Sequence, residues 1–407
     1  MTARFSRRSL LVGAGGLAVG GVAGGLAGAA LASDSTAPTT STQTSTQGAV
    51  EPFYGAHQAG IATPAQARAE LVALDLTSGT DVAALRSVLQ AWTAAAAAMA
   101  SGQGEPDDAS RDITQSGPAR LTVTVGFGPD LFAKLGLGSQ RPPGLAPIPS
   151  FRHDALEPGF VGGDVLVQVG SDDALIASHA ARRLVTLAGA ALTTRWWQRG
   201  FSRTPTSTTD STTPRNLMGQ VDGSANPAPG TDLFDRTVWA AAAAPEWLRG
   251  GSFVVVRRIR MFLDTWEQLD RGQQERVIGR TKDTGAPLTG GAEKDQPDFS
   301  AQNPDGSLVI PATAHVRLSH PSSTRGAQIF RRGFSYDDGA LDDGSRDAGL
   351  LFLAWQADPR KGFLPIQARI DMGDRLNMFT RAVGSAIFAC PPGVAEGSYL
   401  GAALLEA

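Results

Sequence analysis

Three isolated polar residues in the second half of the chain have side chains suited to redox and acid–base chemistry. Asp222 is the carboxylate of a Gly-x-x-Asp-Gly motif, His315 lies within Ala-His-Val-Arg-Leu, and Arg331 begins Arg-Arg-Gly-Phe-Ser-Tyr. The two glycines let the backbone around Asp222 bend and approach a flat or bulky group. A carboxylate can move protons, an imidazole can bind a metal, and a guanidinium can stabilise developing negative charge without losing its proton. Taken singly, each is also typical of a turn, a hydrogen-bonded core histidine or a solvated strand edge.

The order and the neighbours of these residues resemble those of the dye-decolorising peroxidases, a family of haem enzymes. Supporting matches follow the family's order from about Glu51 to Gly393, and they include Pro-Phe-Tyr-Gly, Ile-Gly-Arg with Gly-Ala-Pro-Leu, and Phe-Leu-Ala-Trp-Gln. The resemblance implies one haem b per chain, with His315 as the axial iron ligand and with Asp222 and Arg331 on the opposite face of the haem.

The resemblance also implies how the residues around the haem divide the work. Asp222 would take a proton from the peroxide oxygen that binds iron and return it to the oxygen that leaves. Arg331 would stabilise the negative charge on that departing oxygen. Gly223, Ser224 and Ala225 are expected to contact the haem.

One part of the haem site departs from the family pattern. Relatives often carry Asn-Pro-Arg shortly after the histidine, where the arginine helps to hold the haem, whereas this chain has His-Pro-Ser from His320 onward. The arginine expected to contact the haem propionates is therefore missing, and Arg325 or another basic residue could replace it. His320 is itself a candidate haem contact and a rival to His315 as axial ligand. Cys390 is a further candidate as a thiolate, although its position at the end of an apolar strand favours a buried structural role.

Two further assignments stay open from the sequence. A carboxylate on the second imidazole nitrogen would push electron density toward the iron, and either Asp374 or Asp371 fits that role. Tyr336, Trp355 and the Trp-Trp pair at residues 196–197 could relay electrons from bulky donors, but core packing explains them more simply.

The elements that must position these residues are read from hydrophobic periodicity and from capping signals. The first half has a turn at residues 57–61 leading to a short strand, strands at 121–125 and 164–169, and helices at 82–100 and 172–187, the second helix capped by Ser171. The second half has strands at 251–260, 328–336 and 350–356, helices at 265–280 and 367–383, and an extended stretch around His315.

The order strand, helix, strand, strand, helix, strand is ferredoxin-like. The predicted fold class is therefore α+β, with two ferredoxin-like domains on antiparallel sheets, at residues 50–213 and 214–407. The resemblance implies the same fold and adds that the C-terminal domain holds most of the haem.

The beginning of the chain predicts export. Residues 1–32 resemble a twin-arginine signal peptide, because Arg7-Arg8 precede an apolar run that ends in Ala-Leu-Ala. Residues 33–49 are rich in Ser, Thr and Gln and predict a disordered tether. One cysteine excludes an intrachain disulfide, as expected if the twin-arginine machinery carries a folded protein to the periplasm, the envelope or the medium.

Composition excludes one class of partner and allows a large core. The chain has 407 residues, 42% of them hydrophobic, and a net charge of −3, which argues against nucleic acid as a partner.

The sequence predicts an exported haem peroxidase that uses hydrogen peroxide to oxidise dyes, phenolic compounds or other organic donors. The alternative is a deferrochelatase of an iron-uptake system, because some relatives are proposed to release iron while sparing the porphyrin. A simple haem carrier would not need Asp222 and Arg331 together.

Overall fold

The computed structural model describes residues 49–105, 107–203 and 213–406. The predicted signal peptide, nearly all of the predicted tether and residues 204–212 lie outside the described residues. The described strands are β1 Arg68–Leu76, β2 Thr122–Phe127, β3 Val165–Ser171, β4 Leu192–Phe201, β5 Ser252–Met261, β6 Phe330–Arg331, β7 Phe334–Ala340, β8 Arg346–Gln356 and β9 Thr380–Cys390. The described α-helices are α1 Val82–Ala100, α2 Asp112–Gln115, α3 Pro129–Lys134, α4 Ala174–Ala188, α5 Asp232–Val238, α6 Leu263–Glu267, α7 Arg271–Ile278, α8 His315–Ser319, α9 Phe363–Asp371 and α10 Ala402–Leu405.

The strands form two antiparallel groups that join into one closed sheet. The first group has the order β2-β3-β1-β4, and the second has the order β9-β5-β8-β7, with the short β6 paired to β8. Single residue pairs join the groups, Phe127 with Ala389 at one side and Phe201 with Ser335 at the other. Each group has the same strand order relative to its own sequence, which is consistent with two related halves.

Alternation along the strands sorts the core into two layers. In β1, Leu71 and Ala73 face the space between the two groups, whereas Val72 and Leu74 face the helices outside. Successive strand side chains point to opposite faces, so one strand with both faces buried contributes to both layers. The inner layer also contains Cys390, which is completely buried.

The outer layer of the first group is covered by α1 and α4. Asp81 caps α1 by accepting a hydrogen bond from the amide of Ala84. The helix is long and apolar enough to cross a membrane by length and composition alone. Its buried face, which includes Leu89 and Trp92, packs in the core instead, and the Trp92 indole donates to the carbonyl oxygen of Leu184 on α4.

Several sequence-based boundaries are wrong for identifiable reasons. The second predicted helix starts later, at Ala174, because Asp173 rather than Ser171 accepts the first free amides of α4. The strand expected soon after residues 57–61 begins only at Arg68. The helix predicted at 265–280 is two helices, since Asp270 starts α7 with a capping box.

The region of the predicted site holds the largest errors. The strand predicted at 328–336 is divided into β6 and β7. Residues 367–383 are not one helix, because α9 ends at Asp371 and the central strand β9 begins at Thr380. The extended stretch predicted around His315 is the helix α8, with His315 as its first residue. Residues 372–379, which include a 3₁₀ turn at Arg375–Met378, connect α9 to β9 and place Asp374 beside His315 at the start of α8.

Candidate active site

The loop that carries Asp222 is held by glycine geometry and by a buried anchor. Gly219 and Gly223 have φ values of 76° and 125°, a region that favours glycine. The amide of Asp222 donates to the carbonyl oxygen of Pro214 at 2.8 Å. Met218 is buried in a small apolar cluster, and the indole of Trp266 donates to its carbonyl oxygen at 3.1 Å. The loop is therefore fixed on both sides of the carboxylate.

Asp222 and Arg331 form an ion pair across two elements. Arg331 Nη1 donates to Asp222 Oδ1 at 3.0 Å, and Asn216 Nδ2 donates to Asp222 Oδ2 at 3.2 Å. The side chains of Arg331 and Asp222 remain 27% and 20% exposed, respectively. A small reactant could therefore reach a carboxylate and a guanidinium that are already aligned.

The neighbouring arginine faces the opposite way and serves the fold. Arg332 is buried, and its guanidinium donates to Thr63 O and Gln66 Oε1. Burial, together with the charge of Arg120, lowers the pKa of Arg332 to about 10. Arg331, the last residue of β6, thus faces the partly exposed site, and Arg332, directly after β6, faces the core.

His315 is paired with a fully buried carboxylate. His315 Nδ1 donates to Asp374 Oδ2 at 2.6 Å, and the Asp374 side chain has no exposed surface, whereas that of His315 is 28% exposed. The other oxygen, Asp374 Oδ1, accepts from the amide of Leu376 at 2.8 Å. Because a carboxylate can only accept, this arrangement fixes a hydrogen on Nδ1, so that Nε2 is the nitrogen that carries the lone pair in the neutral imidazole.

The second carboxylate that the sequence left open has a different partner. Asp371 accepts from the backbone amides of Arg152 and His153, both at 3.1 Å, and contacts His153 Nδ1 at 3.0 Å. Burial would raise the pKa of Asp371, but the hydrogen bonds from Arg152 and His153 outweigh burial and lower it. Asp374 is therefore the carboxylate beside His315, and Asp371 joins the two halves of the chain.

One segment, residues 279–288, touches the elements on both sides of the site. Gly279 packs directly against Val316 in α8, and Gly285 packs against Val221 beside Asp222. Between them, Arg280 Nη1 donates to the carbonyl oxygens of Gly285 and Glu293 at 2.8 and 2.7 Å. The segment therefore links the Asp222 loop to the helix of His315.

Arg280 is the site residue that the sequence analysis did not single out. Burial lowers the pKa of Arg280, and the charge of Arg331 lowers it further against the opposing effect of Glu293. Arg280 in turn helps burial to lower the pKa of His320. The charge of Arg280 therefore interacts with both Arg331 and His320. The sequence did point to Arg280, because its Ile-Gly-Arg stretch matches the family, but that match alone assigned the arginine no role.

His320 and Arg325 fit the predicted cofactor roles poorly. His320 Nδ1 is bonded to Ser322, and Nε2 contacts Gln296 Oε1 at 3.2 Å, so both ring nitrogens have partners. Its side chain caps a short 3₁₀ turn by accepting from the Ser322 amide. Arg325 is exposed, with a φ of 58°. Arg280 is a second candidate cation, and of the two candidate axial histidines His315 is the one with a ring nitrogen available.

Cys390 lies in the inner core layer. Its side chain is completely buried, and burial raises the pKa of the thiol well above its usual range. A thiol in such surroundings stays protonated and packs as a small apolar group. These properties fit the structural role and not a thiolate ligand.

The remaining predicted residues lie where they neither support nor oppose a cofactor role. Gly223 is partly buried, Ser224 is buried, and Ala225 is exposed. Their contact with haem stays a prediction.

The aromatic residues proposed as relays are mainly packed in the core. Burial raises the pKa of Tyr336, whose ring lies 4.2 Å from the guanidinium of Arg258, and Trp355 is completely buried. The indoles of Trp196 and Trp197 donate to the carbonyl oxygen of Gly162 and to the carboxylate of Glu70. The relay role also stays a prediction.

Two family models cover most of the described chain. The model "Dyp-type peroxidase, N-terminal" matches residues 58–202, and "Dyp-type peroxidase, C-terminal" matches residues 213–395. The chain belongs to the Dyp-type peroxidase family. Among curated members, a dye-decolorizing peroxidase of Thermobifida fusca is 46% identical over 366 residues, 86% of this chain and 84% of the relative. A deferrochelatase of Yersinia pestis is 37% identical over 373 residues, 88% of this chain and 85% of the relative.

Solved structures of Dyp-type peroxidases have the same fold. The enzyme from Streptomyces coelicolor is 46% identical with a TM-score of 0.87, and the match covers 90% of this chain and 99% of the other. Ferric DtpA from Streptomyces lividans gives the same identity, TM-score and coverage. The antiparallel α+β architecture is therefore that of the family.

Proposed function

We propose that this Dyp-type peroxidase binds one haem b and uses hydrogen peroxide to oxidise dyes, phenolic compounds or other organic donors. The observation that carries the proposal is the His315–Asp374 pair, in which a buried carboxylate holds one imidazole nitrogen and leaves the other for a metal. Family membership, the 46% identical dye-decolorizing peroxidase and the ferric state of the similar DtpA support haem as the group that this histidine binds.

The residues around His315 fit a haem. A neutral imidazole with its second nitrogen bonded to a carboxylate is a strong axial ligand. The charge of Arg280 suits the negatively charged carboxylates at the edge of a haem, and Arg280 stands in for the arginine that the His-Pro-Ser stretch lacks. A bound haem supplies the iron that takes up peroxide and holds the oxidising equivalents passed to the donor.

Asp222 and Arg331 prepare the peroxide for cleavage. Asp222 would accept a proton from one peroxide oxygen and return it to the other, which would leave as water. The guanidinium of Arg331 stabilises negative charge on the leaving oxygen. Their ion pair at 3.0 Å keeps both groups aligned before the reactant enters.

The test uses the purified protein reconstituted with haem. We expect a Soret band that changes when peroxide is added, together with bleaching of an anthraquinone dye that needs both peroxide and haem. His315→Ala should lose or loosen the haem, whereas His320→Asn, which replaces the rival histidine, should keep it. A normal Soret band in His315→Ala would refute the ligand assignment, and a haem-loaded protein that leaves the dye unchanged would refute the activity.

The deferrochelatase relatives favour one alternative. At 37% identity over most of the chain, they make haem itself a candidate substrate. Incubation with haem and a ferrous chelator separates the two functions, because an iron-releasing protein leaves free protoporphyrin, detected by its fluorescence. Intact haem after incubation, with peroxide-dependent dye bleaching, supports the peroxidase.

We also propose the finer architecture and the location that the sequence predicts. Two ferredoxin-like domains, at residues 50–213 and 214–407, are supported by the matching strand orders, and Asp222, His315 and Arg331 all belong to the second. Export by the twin-arginine pathway is supported by Arg7-Arg8 and by the lack of any second cysteine. An iron-uptake partner rests on the deferrochelatase alternative alone.

A further inference from the structure

Asn226 makes two hydrogen bonds to the backbone of Arg331. Asn226 Nδ2 donates to the carbonyl oxygen of Arg331 at 2.7 Å, and the amide of Arg331 donates to Asn226 Oδ1 at 3.0 Å. One side-chain amide thus engages both polar backbone groups of one residue, as a neighbouring strand would.

These bonds matter because β6 is short and lies at an edge. It has two residues, Phe330 and Arg331, which pair with Trp355 and Ala354 of β8. It stands at the end of the strand order, so its outer side has no strand neighbour among the described residues. The amide of Asn226 closes that outer side at Arg331. Without it, a partly buried amide and carbonyl would lose their partners.

Asn226 belongs to the same loop as Asp222. Its backbone amide donates to the carbonyl oxygen of Gly223 at 2.9 Å, which closes a turn directly after the carboxylate. A Cβ atom on Gly223 would lie 3.5 Å from Asn226 Nδ2, and the φ of 125° there favours glycine in any case. The loop and β6 are therefore joined twice, by the Asp222–Arg331 ion pair and by the bonds from Asn226.

We propose that Asn226 is a positioning residue that sets the placement of Arg331 relative to Asp222. The ion pair alone can rotate about two flexible side chains, whereas the paired bonds from Asn226 fix the backbone from which the guanidinium extends. This inference rests on the proposed roles of Asp222 and Arg331. A misplacement of about 1 Å can cost on the order of 10²-fold in rate, so we expect Asn226→Ala to slow the reaction with peroxide by about 10²-fold.

Asn226→Asp gives a more specific test. The ionised carboxylate can accept from the Arg331 amide but cannot donate to its carbonyl oxygen. A protonated carboxyl group has one donor and one acceptor, as the native amide does, and can restore both bonds. The variant should therefore be slow at about pH 7 and recover toward the wild-type rate at about pH 4, near the ordinary pKa of an aspartyl group.

Other titratable groups surround the loop and must be accounted for. Asp222 and Arg331 form the ion pair beside Asn226. Next to this loop, Glu293 accepts a hydrogen bond from Thr213, and Lys294 donates one to the carbonyl oxygen of Ser224. Arg280 adds its charge from the linking segment. All of these groups are present in the wild type, so the rate of the variant is divided by the wild-type rate at each pH.

The experiment measures two quantities for the wild type, Asn226→Ala, Asn226→Asp and the control Asn303→Ala. Asn303 bonds to Ser307 in an exposed turn, so its variant loses a similar amide elsewhere. The first quantity is the rate of the haem spectral change on mixing with hydrogen peroxide, and the second is hydrogen exchange at the Arg331 amide in the haem-free protein. We also compare haem affinity, which a general loss of folding would reduce.

We expect faster exchange and slower reaction in Asn226→Ala, acid recovery in Asn226→Asp only, and unchanged haem affinity in both. Wild-type exchange and rate in Asn226→Ala would overturn the proposal, and so would a slow reaction in Asn226→Asp at every pH. If the wild type itself fails to react with peroxide, the proposed function is wrong, and exchange at Arg331 still decides whether Asn226 holds β6.

Discussion

The substitution Asp374→Asn tests the hydrogen-bond arrangement behind His315 with almost no change in volume. The native carboxylate accepts two hydrogen bonds, from His315 Nδ1 and from the Leu376 amide, in a place without exposed surface. An asparagine has one oxygen and one NH₂ group, so it cannot accept both. If its oxygen stays with Leu376, its NH₂ group faces Nδ1, and the imidazole must move its hydrogen to Nε2.

The magnitude follows from this conflict. A hydrogen on Nε2 removes the lone pair that iron requires, and the other orientation leaves two donors facing each other at Leu376. Loss of a partner behind a metal-binding histidine typically costs about 10- to 100-fold in affinity or activity. We expect haem affinity to fall by that factor, equivalent to about 1.4–2.7 kcal/mol. A buried donor left without its partner should also lower the free energy of unfolding by about 1–3 kcal/mol.

The assay is a titration of haem into the haem-free protein, followed by the Soret band. Asp371→Asn is the matched control, because it makes the same change three residues earlier, at a carboxylate that binds His153 instead. The control should weaken the junction between the halves and leave haem affinity near the wild-type value. Equal haem affinity in Asp374→Asn and the wild type would show that the bond from His315 to Asp374 does not control haem binding. A larger loss in Asp371→Asn would show the same.

Three further predictions concern acid stability, the cysteine and export. Burial lowers the pKa of His320 in the folded protein. As pH falls below about 6.5, this histidine is therefore protonated more readily in the unfolded chain, and the free energy of unfolding decreases. His320→Asn replaces the capping ring nitrogen by an amide oxygen that does not titrate, so the melting temperature of this variant should fall less on acidification, and an equal fall would contradict this. Cys390→Ser should keep the haem spectrum but lose about 1–3 kcal/mol of stability in urea unfolding, because it buries a hydroxyl, whereas a lost Soret band would indicate thiolate ligation. Arg7→Lys combined with Arg8→Lys should retain the precursor inside the cell, unlike the control Arg4→Lys, and immunoblots of cell fractions would reveal any continued export.

The elements that the sequence predicted well are those whose pattern of apolar residues lies within the element itself. The apolar face of α1 predicted its bounds, since its large apolar residues recur at helical spacing on one side. The end of β9 was predicted as the apolar strand before Cys390, but its start at Thr380 was missed, because most of the strand is buried on both faces and such a strand need not alternate. Its first residues therefore joined the end of α9 in one predicted helix.

The site was predictable in its residue types and less so in its connections. Asp222, His315 and Arg331 stand in recognisable surroundings, so the sequence could name them. Asp371 ends α9 and Asp374 lies three residues later in the segment that follows, and only the approach of α8 in space decides which of them meets His315. The bond from Asn226 to Arg331 likewise joins residues whose proximity depends on the closed sheet.

A double-mutant cycle measures whether Asp222 and Arg331 act together on peroxide, as proposed. The measurement is the rate of the haem spectral change on rapid mixing with hydrogen peroxide for Asp222→Ala, Arg331→Leu and the double variant, all with haem bound. Each single variant should slow the reaction by about 10²–10³-fold. The double variant should be only slightly slower than the slower single variant, because both groups serve one transition state. Single variants that react at the wild-type rate, or effects that multiply fully, would contradict the account.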